Sequence, residues 1–408
     1  MQQATHPAEP APQATRRKPR VALFSGNYNC LPDGANQALN RLVAHLLRRG
    51  FEVRVYSPVV AHPAFEPAGE LVGVRSVPFP GRGDYRLALG LPAATRRDLD
   101  IFVPDIVHVS APDILGRRAQ AYAAERGIPL VASLHTRFET YFQFYGLGFI
   151  RGIIERYLQR FYRRCDLVLA PNRPLARMLE SDGVDPARIA IWSRGVDRAR
   201  FDPGRRSAAW RRARGIGDGA LAVLFFGRLV REKGIADFAA AITRAGLPDV
   251  RPLVVGDGPA RGEFARLLPR AVFAGHLSGE ALGQAVASAD VLLNPSSTEA
   301  FGNVNLEAMA AGLAVISADA PSSRGLIDDG RTGLLVPPGD IEGYAGALAK
   351  LAGDRQLCGK LGRAARAESA NYDWDAALDK VVEAYRGLLL QAPVVQPVAG
   401  TRRRAVPA

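Results

Sequence analysis

The chain is poor in cysteine. Only Cys30, Cys165 and Cys358 occur in 408 residues, far apart and in no CxxC or Cys/His arrangement. That spacing excludes zinc fingers and a disulfide framework, and an odd, unpaired set fits a reducing compartment. Long apolar runs are lacking as well. No stretch approaches the ~18 residues that would span a bilayer, so membrane contact would be peripheral. The Pro/Ala/Gln-rich start has no apolar segment of the kind that marks a secretory signal. The expected location is the cytoplasm, with the inner face of the plasma membrane as a peripheral site. Two phosphate fingerprints are also missing. GxxxxGK[ST] does not occur, which disfavours a P-loop kinase, and GxGxxG fails because Arg261 stands where its last glycine would fall.

What is present reads as an ordinary globular protein, 48% hydrophobic and 23% charged. At ~100–200 residues per domain, two domains are expected. The net charge of +13 suits an anionic partner: a phosphorylated small molecule, nucleic acid or an acidic membrane. A solvated, Arg-rich surface is the bland alternative. The charge is dispersed and no nucleic-acid motif accompanies it, which argues against a nucleic-acid partner.

Residues 1–19 and 392–408 read as disordered tails. Between them, short β-branched runs alternate with amphipathic segments, the pattern of parallel sheets covered by helices. The first half opens with strand Val21–Phe24, a small-residue loop and a helix from about Ala35 to Arg49. Further strands are expected at Glu52–Tyr56, Ile106–Val109, Leu130–Leu134, Leu167–Ala170 and Ile189–Trp192. The second half restarts with strand Ala222–Phe226, loop Gly227–Gly234 and helix Ile235–Ala245. Its later strands are Pro252–Val255, Ala271–Phe273, Val291–Leu293, Ala314–Ile316 and Gly333–Val336. Domains are therefore expected at 20–197 and 215–375, with 198–214 as linker. A final helix, 376–391, is expected to cross back to the first domain. Ligands of such sheets bind beyond the carboxyl ends of the strands, so two facing sheets make a cleft.

The strongest local signal is Asn294–Gly312, NPSSTEAFGNVNLEAMAAG. A buried strand leads to a polar turn, then to a helix from about Asn303 to Ala311. At ~100° per residue, Glu299 and Glu307 cannot share one helix face. Glu299 belongs in the loop and Glu307 in the helix, reaching different parts of one elongated ligand. Free N–H groups at Gly302, Asn303 and Val304 would point at an anion. The second signal is Gly227-Arg228…Lys233-Gly234, two cations between a strand end and a helix start, which suits a diphosphate. The third is the tight turn Gly256-Asp257-Gly258-Pro259. His135, just past a strand, is either structural or a sugar contact. Asp98-Leu99-Asp100 mimics a metal-binding DxD but lies in an apparent helix far from the other motifs. Two basic amphipathic segments, Phe149–Cys165 and Arg82–Arg97, suit either packing on the sheet or an anionic surface.

Together these residues resemble a family. Glu299-Ala-Phe-Gly-Asn-Val-Asn-Leu-Glu307 looks like the E-x7-E motif of family-4 retaining glycosyltransferases with the GT-B fold. Gly227-Arg228…Lys233-Gly234, Gly256-Asp257-Gly258-Pro259 and Gly333–Asp340 match the other signatures in order. The likeness covers about residues 20 to 390. GNYNCLPDGANQALNRL, SLHTRFETY and WSRGVD are similar to the subgroup of GDP-mannose-dependent α-mannosyltransferases and sulfoquinovosyl-diacylglycerol synthases.

The resemblance implies an α/β, GT-B architecture, two Rossmann-like α/β/α domains facing an interdomain cleft. It implies hexose transfer from a nucleotide diphosphate sugar to a lipid or glycan hydroxyl, without metal or cofactor. Glu299 would hold sugar hydroxyls, Glu307 the ribose, and Arg228 and Lys233 the diphosphate. Phe301, Gly302, Asn303 and Val304 would touch sugar and phosphate, and Leu277 would lie near the base. Gly227 and Gly256 would complete the donor wall. His135 would contact the hexose, and Gly34 would face the β-phosphate and the acceptor. Two departures stand out. Ala35 follows Gly34 where many members carry Gly-Gly, and Ala318–Leu326 lacks the Glu many members carry there. A sugar-nucleotide epimerase of the same fold is the competing enzyme class.

Overall fold

The structure, a computed structural model, describes residues 17–31, 33–79, 82–135 and 151–391. Residues 17–19, expected in the tail, belong to the fold: Arg17 pairs with Asp105 at 2.6 Å. The rest of both expected tails lies outside the described residues.

The first sheet begins with β1 (Arg20–Phe24), β2 (Glu52–Ser57) and β3 (Glu70–Gly73). An antiparallel hairpin of β4 (Ser76–Phe79) and β5 (Arg82–Ala88) follows. The sheet resumes with β6 (Ile106–Val109), β7 (Leu130–Ser133), β8 (Leu167–Ala170) and β9 (Ile189–Ile191). Its order is β3-β2-β1-β6-β7-β8-β9, with every pairing parallel. The second sheet is built from β10 (Leu221–Phe226), β11 (Val250–Val255), β12 (Val272–Gly275), β13 (Val291–Asn294), β14 (Ala314–Ala318) and β15 (Leu334–Val336). Its order, β12-β11-β10-β13-β14-β15, is the doubly wound 3-2-1-4-5-6 arrangement. β6, β7, β8, β13 and β14 are buried along their whole length. Helices cover both faces, which is why these strands read as unbroken apolar runs.

β3, β4 and β5 are absent from the sequence reading. The segment Arg82–Arg97, taken as one basic amphipathic element, divides into β5 and the start of a helix, Ala93–Phe102. Its apolar residues Tyr85, Leu87, Leu89 and Leu91 repeat every second position, the period of a strand. The other basic segment forms helix Arg151–Arg163, which buries Phe161 and Tyr162 while Ile153 is 62% exposed. Phe149 and Ile150 lie outside the described residues.

Asp33 opens helix Gly34–Arg48 by accepting from the amide of Asn36 at 2.8 Å. Segment 198–214, read as a linker, packs on the second domain. There the buried guanidinium of Arg211 meets Asp290 at 3.1 Å, and Arg206 meets the same carboxylate at 2.7 Å. The chain crosses between domains twice, side by side: Val196 N–H donates to the carbonyl of Tyr372 at 3.1 Å. Helix Trp374–Gln391 then returns to the first domain. It buries Ala377, Leu378, Val381, Val382 and Tyr385, the i, i+4 stripe of an amphipathic helix, and the last four join the core that holds Val21 and Leu23 of β1.

Candidate active site

In each sheet the strand order reverses beside its central strand, between β1 and β6 and between β10 and β13. Loops diverge there and leave a crevice. The loops after β1 and β10 carry Asp33-Gly34 and Gly227–Gly234, and the loop after β13 carries Glu299–Gly302. Local chemistry holds them together. The carbonyl of Glu232 accepts from Thr298 Oγ1 at 3.2 Å, tying the cationic loop to the acidic one. Gly256 has φ +139°, and a Cβ there would lie 1.8 Å from the carbonyl oxygen of Gly227, so neither strand end accepts a side chain. Beneath them Asn294, Asn305, Ser317 and Ser323 form a buried hydrogen-bonded cluster. It anchors helix Asn303–Ala310 to β13 and β14, and such satisfied networks fix one geometry.

Lys233 Nζ lies 2.7 Å from Glu299 Oε1, with the glutamate side chain 12% exposed. Gly302, at φ +90°, starts the helix without a side-chain cap, and the first amides of a helix, here including Asn303 and Val304, have no intrahelical acceptor. Val304 also packs within 3.8 Å of the Cβ position of Gly227. Across the cleft, a Cβ on Gly34 would lie 2.1 Å from Asn303 Nδ2, so two helix starts meet N-terminus to N-terminus. Burial pushes the Asp33 carboxyl up, while the Asn36 amide and the charges of Lys233 and Arg228 pull it back. Those causes place both cations beside the first-domain loop.

Glu307 projects one helical turn further on, near Arg41 and Arg200, in a recess also lined by Gln37, Asp197 and Trp374. Desolvation raises its pKa to about 8; Glu299 adds to the rise, and Arg200 and Arg41 oppose it. Leu277 packs against the second core beyond Gly275, whose carbonyl accepts from Gly256 N–H at 2.8 Å. From the first domain, Asn172 Nδ2 donates to the carbonyl of Ala300 at 3.2 Å.

His135 stands just past β7. Its Nδ1 is 2.7 Å from Arg194 Nη2 and its Nε2 is 2.8 Å from Ser133 Oγ. The Arg194 guanidinium in turn lies 5.9 Å from the Phe301 ring in the opposite loop. The structure thus gathers His135, Arg228, Lys233, Glu299 and Glu307 at one crevice, with Gly34, Gly227, Gly256, Phe301, Gly302, Asn303 and Val304 along its walls. Leu277 lies further along the same side. Both ring nitrogens of His135 are already engaged, so a sugar hydroxyl must displace a partner to reach either one.

Asn172, Arg194 and the Asn294–Asn305 cluster lie outside the sequence reading. Arg194 sits in the WSRGVD segment quoted above, but nothing local ties it to His135, 59 positions away. Asp98 accepts from Tyr56 OH at 2.7 Å and Arg54 at 3.0 Å, and Asp100 from Tyr122 OH at 2.9 Å. These carboxylates brace the first domain. Among the described residues no group of three His, Cys, Asp or Glu could hold a metal ion. No described helix is long and apolar enough to cross a membrane.

Comparison with known proteins bears on this geometry. The model of Glycosyltransferase Family 4 matches residues 32–200, and that of Glycosyl transferases group 1 matches residues 220–354. The chain is 34% identical over 378 residues to a GDP-mannose-dependent alpha-mannosyltransferase of Mycobacterium tuberculosis, covering 90% of this chain and 97% of that one. It is 32% identical over 378 residues to the sulfoquinovosyl transferase SQD2 of Arabidopsis thaliana, covering 91% and 74%. The solved sucrose-phosphate synthase from Thermosynechococcus elongatus superposes with a TM-score of 0.73 at 21% identity, covering 91% of this chain and all of that one.

Proposed function

The chain belongs to glycosyltransferase family 4 and has the GT-B fold, and on that premise we propose that it moves a hexose from a nucleotide diphosphate sugar to a lipid or glycan hydroxyl with retention at the anomeric carbon. The hexosyltransferase class follows from family membership. GDP-mannose is the donor we favour, because the mycobacterial relative is named for it and shares 34% identity along nearly its whole length. A UDP-sugar-dependent glycolipid synthase is the second reading, favoured by the 32% identity to the plant sulfoquinovosyl transferase.

One observation carries the proposal: the Lys233–Glu299 pair lies where two helix starts face each other across the cleft. The cation and the helix amides suit a pyrophosphate; the carboxylate suits the hydroxyls of an attached sugar. Donor entry exchanges the internal ion pair for those two contacts. The bond from the anomeric carbon to phosphate oxygen then breaks as the acceptor oxygen bonds the same carbon. Arg228, Lys233 and the amides at Asn303 and Val304 stabilise the negative charge that develops on the leaving group. The acceptor proton goes to the departing phosphate oxygen on the same face. No metal step is needed in this scheme, and the nucleotide sugar is consumed as a co-substrate.

The test is a panel of nucleotide sugars screened for binding, followed by donor turnover with and without an added alcohol. NMR of the product then reads its anomeric configuration. A binder consumed only with acceptor, giving product of the donor's configuration, supports the reading. Donor isomerisation without acceptor would instead identify an epimerase, and an inverted product would remove the front-face scheme.

A further inference from the structure

A buried line of hydrogen bonds runs from the cleft through the first sheet to the returning helix. Beyond Arg194, His135 and Ser133 it continues from Ser133 Oγ to His108 Nε2 at 2.9 Å, and Tyr385 OH lies 2.6 Å from His108 Nδ1. Ser133, His108, Arg194 and Tyr385 are all buried. Arg194 Nη1 also donates to the carbonyls of Trp192 at 2.9 Å and Ser193 at 3.2 Å, and the guanidinium lies 4.5 Å from the Trp192 ring. Burial alone lowers its pKa, to about 9, so it is a cation at neutral pH.

Counting donors gives the line a direction. A guanidinium only donates. Where it meets His135 Nδ1, that nitrogen must present its lone pair. A neutral imidazole with a lone pair on Nδ1 carries its proton on Nε2, and that proton points at Ser133 Oγ. We propose that Arg194 is a positioning residue that fixes His135 as the Nε2–H tautomer, able to give a hydrogen bond to a substrate oxygen and unable to take the acceptor's proton. The proposal rests on the transferase reading above. It sharpens that reading: a sugar oxygen replaces Ser133 as the acceptor of the Nε2 proton, and the acceptor's proton is left to the leaving phosphate.

The groups facing His135 agree. Arg194 and the Trp192 indole approach from the segment after β9, and Ser133, with His108 behind it, from β7 and β6. Burial, then the Arg194 charge, then His108 hold the His135 pKa well below its ordinary value. All three influences favour the neutral ring.

The test reads the ring nitrogens directly, by long-range ¹H–¹⁵N spectra of the full chain without ligand, with His135 assigned from a His135→Gln variant. Wild type should show a protonated Nε2 and an unprotonated Nδ1, unchanged from pH 6 to 8. Arg194→Met should release the constraint, giving signal from the Nδ1–H tautomer and lowering kcat by roughly 10–100-fold. Its affinity for the nucleoside diphosphate should stay within about threefold. Arg194→Lys, which keeps a donor-only cation, should restore the wild-type tautomer and most of the rate. A protonated Nδ1 in the wild type overturns the proposal, and so does an Arg194→Met protein with the wild-type tautomer and rate. The wild-type spectrum decides even where a variant misfolds. It is independent of turnover, so a protein inactive with every donor would sink the transferase reading and leave the tautomer standing.

Discussion

Replacing Glu299 by alanine separates the two halves of the site. Glu299 Oε1 holds Lys233 Nζ at 2.7 Å, with side chains 12% and 28% exposed. Such a partly screened pair contributes at most ~1 kcal/mol. On the proposed function both partners turn outward when donor binds, the carboxylate to sugar hydroxyls and the ammonium to phosphate. Alanine removes hydrogen bonds to a charged group worth ~1.5–3 kcal/mol, a fall in transfer rate on the order of 10–150-fold. The free nucleoside diphosphate should respond in the opposite sense. Lys233 no longer has to leave Glu299, so affinity stays level or tightens by up to about fivefold, the equivalent of ~1 kcal/mol. Initial rates with saturating acceptor and calorimetric titration of GDP and UDP measure both quantities. Transfer within twofold of wild type, or nucleoside diphosphate affinity falling tenfold alongside the rate, would refute the division of labour argued from this pair.

Glu307, raised from 4.5 to about 8, prefers its proton in the fold, so it contributes stability below its unfolded value that is lost as pH rises through about 8. Glu307→Gln should therefore raise Tm more at pH 9 than at pH 5, by differential scanning fluorimetry without ligand. His108 shows the opposite sign. Burial depresses it from 6.5 to about 3, so its contribution is complete above pH 6.5 and drains away toward pH 3. His108→Asn should flatten the dependence of the urea midpoint on pH over that window. Asp290→Ala removes the charge partner of the buried Arg211 guanidinium and should cost ~3–5 kcal/mol in denaturant titrations, while activity per folded molecule is retained. A strong chelator should leave the transfer rate unchanged.

What could be read from the sequence follows the range of the interactions. The restart at β10, the cationic loop and the Glu299–Glu307 spacing are local patterns, visible within about a dozen residues. Strand β5 was obscured because its apolar Tyr85 and Leu87 flank Arg86, and with Arg82, Arg96 and Arg97 nearby the segment resembles a basic amphipathic helix in composition. Arg194, Ser133, His108 and Tyr385 form a functional unit only through contacts that span up to 277 positions, and no spacing encodes that. Asn172 likewise reaches Ala300 across 128 positions. His135 was legible as a strand-end histidine, and Ser133 stands only two positions before it, but the partner on its other ring nitrogen, Arg194, comes from 59 positions away.

The returning helix gives assembly of the protein a particular order. Val21 and Leu23, which precede the second domain in the chain, share a core with Leu378, Val381, Val382 and Tyr385, which follow it. On the ribosome, the first domain must wait with that apolar flank uncovered while the whole second domain is synthesised. Its maturation is therefore completed last although its synthesis begins first, and the interval is a window in which a nascent-chain chaperone has apolar surface to hold.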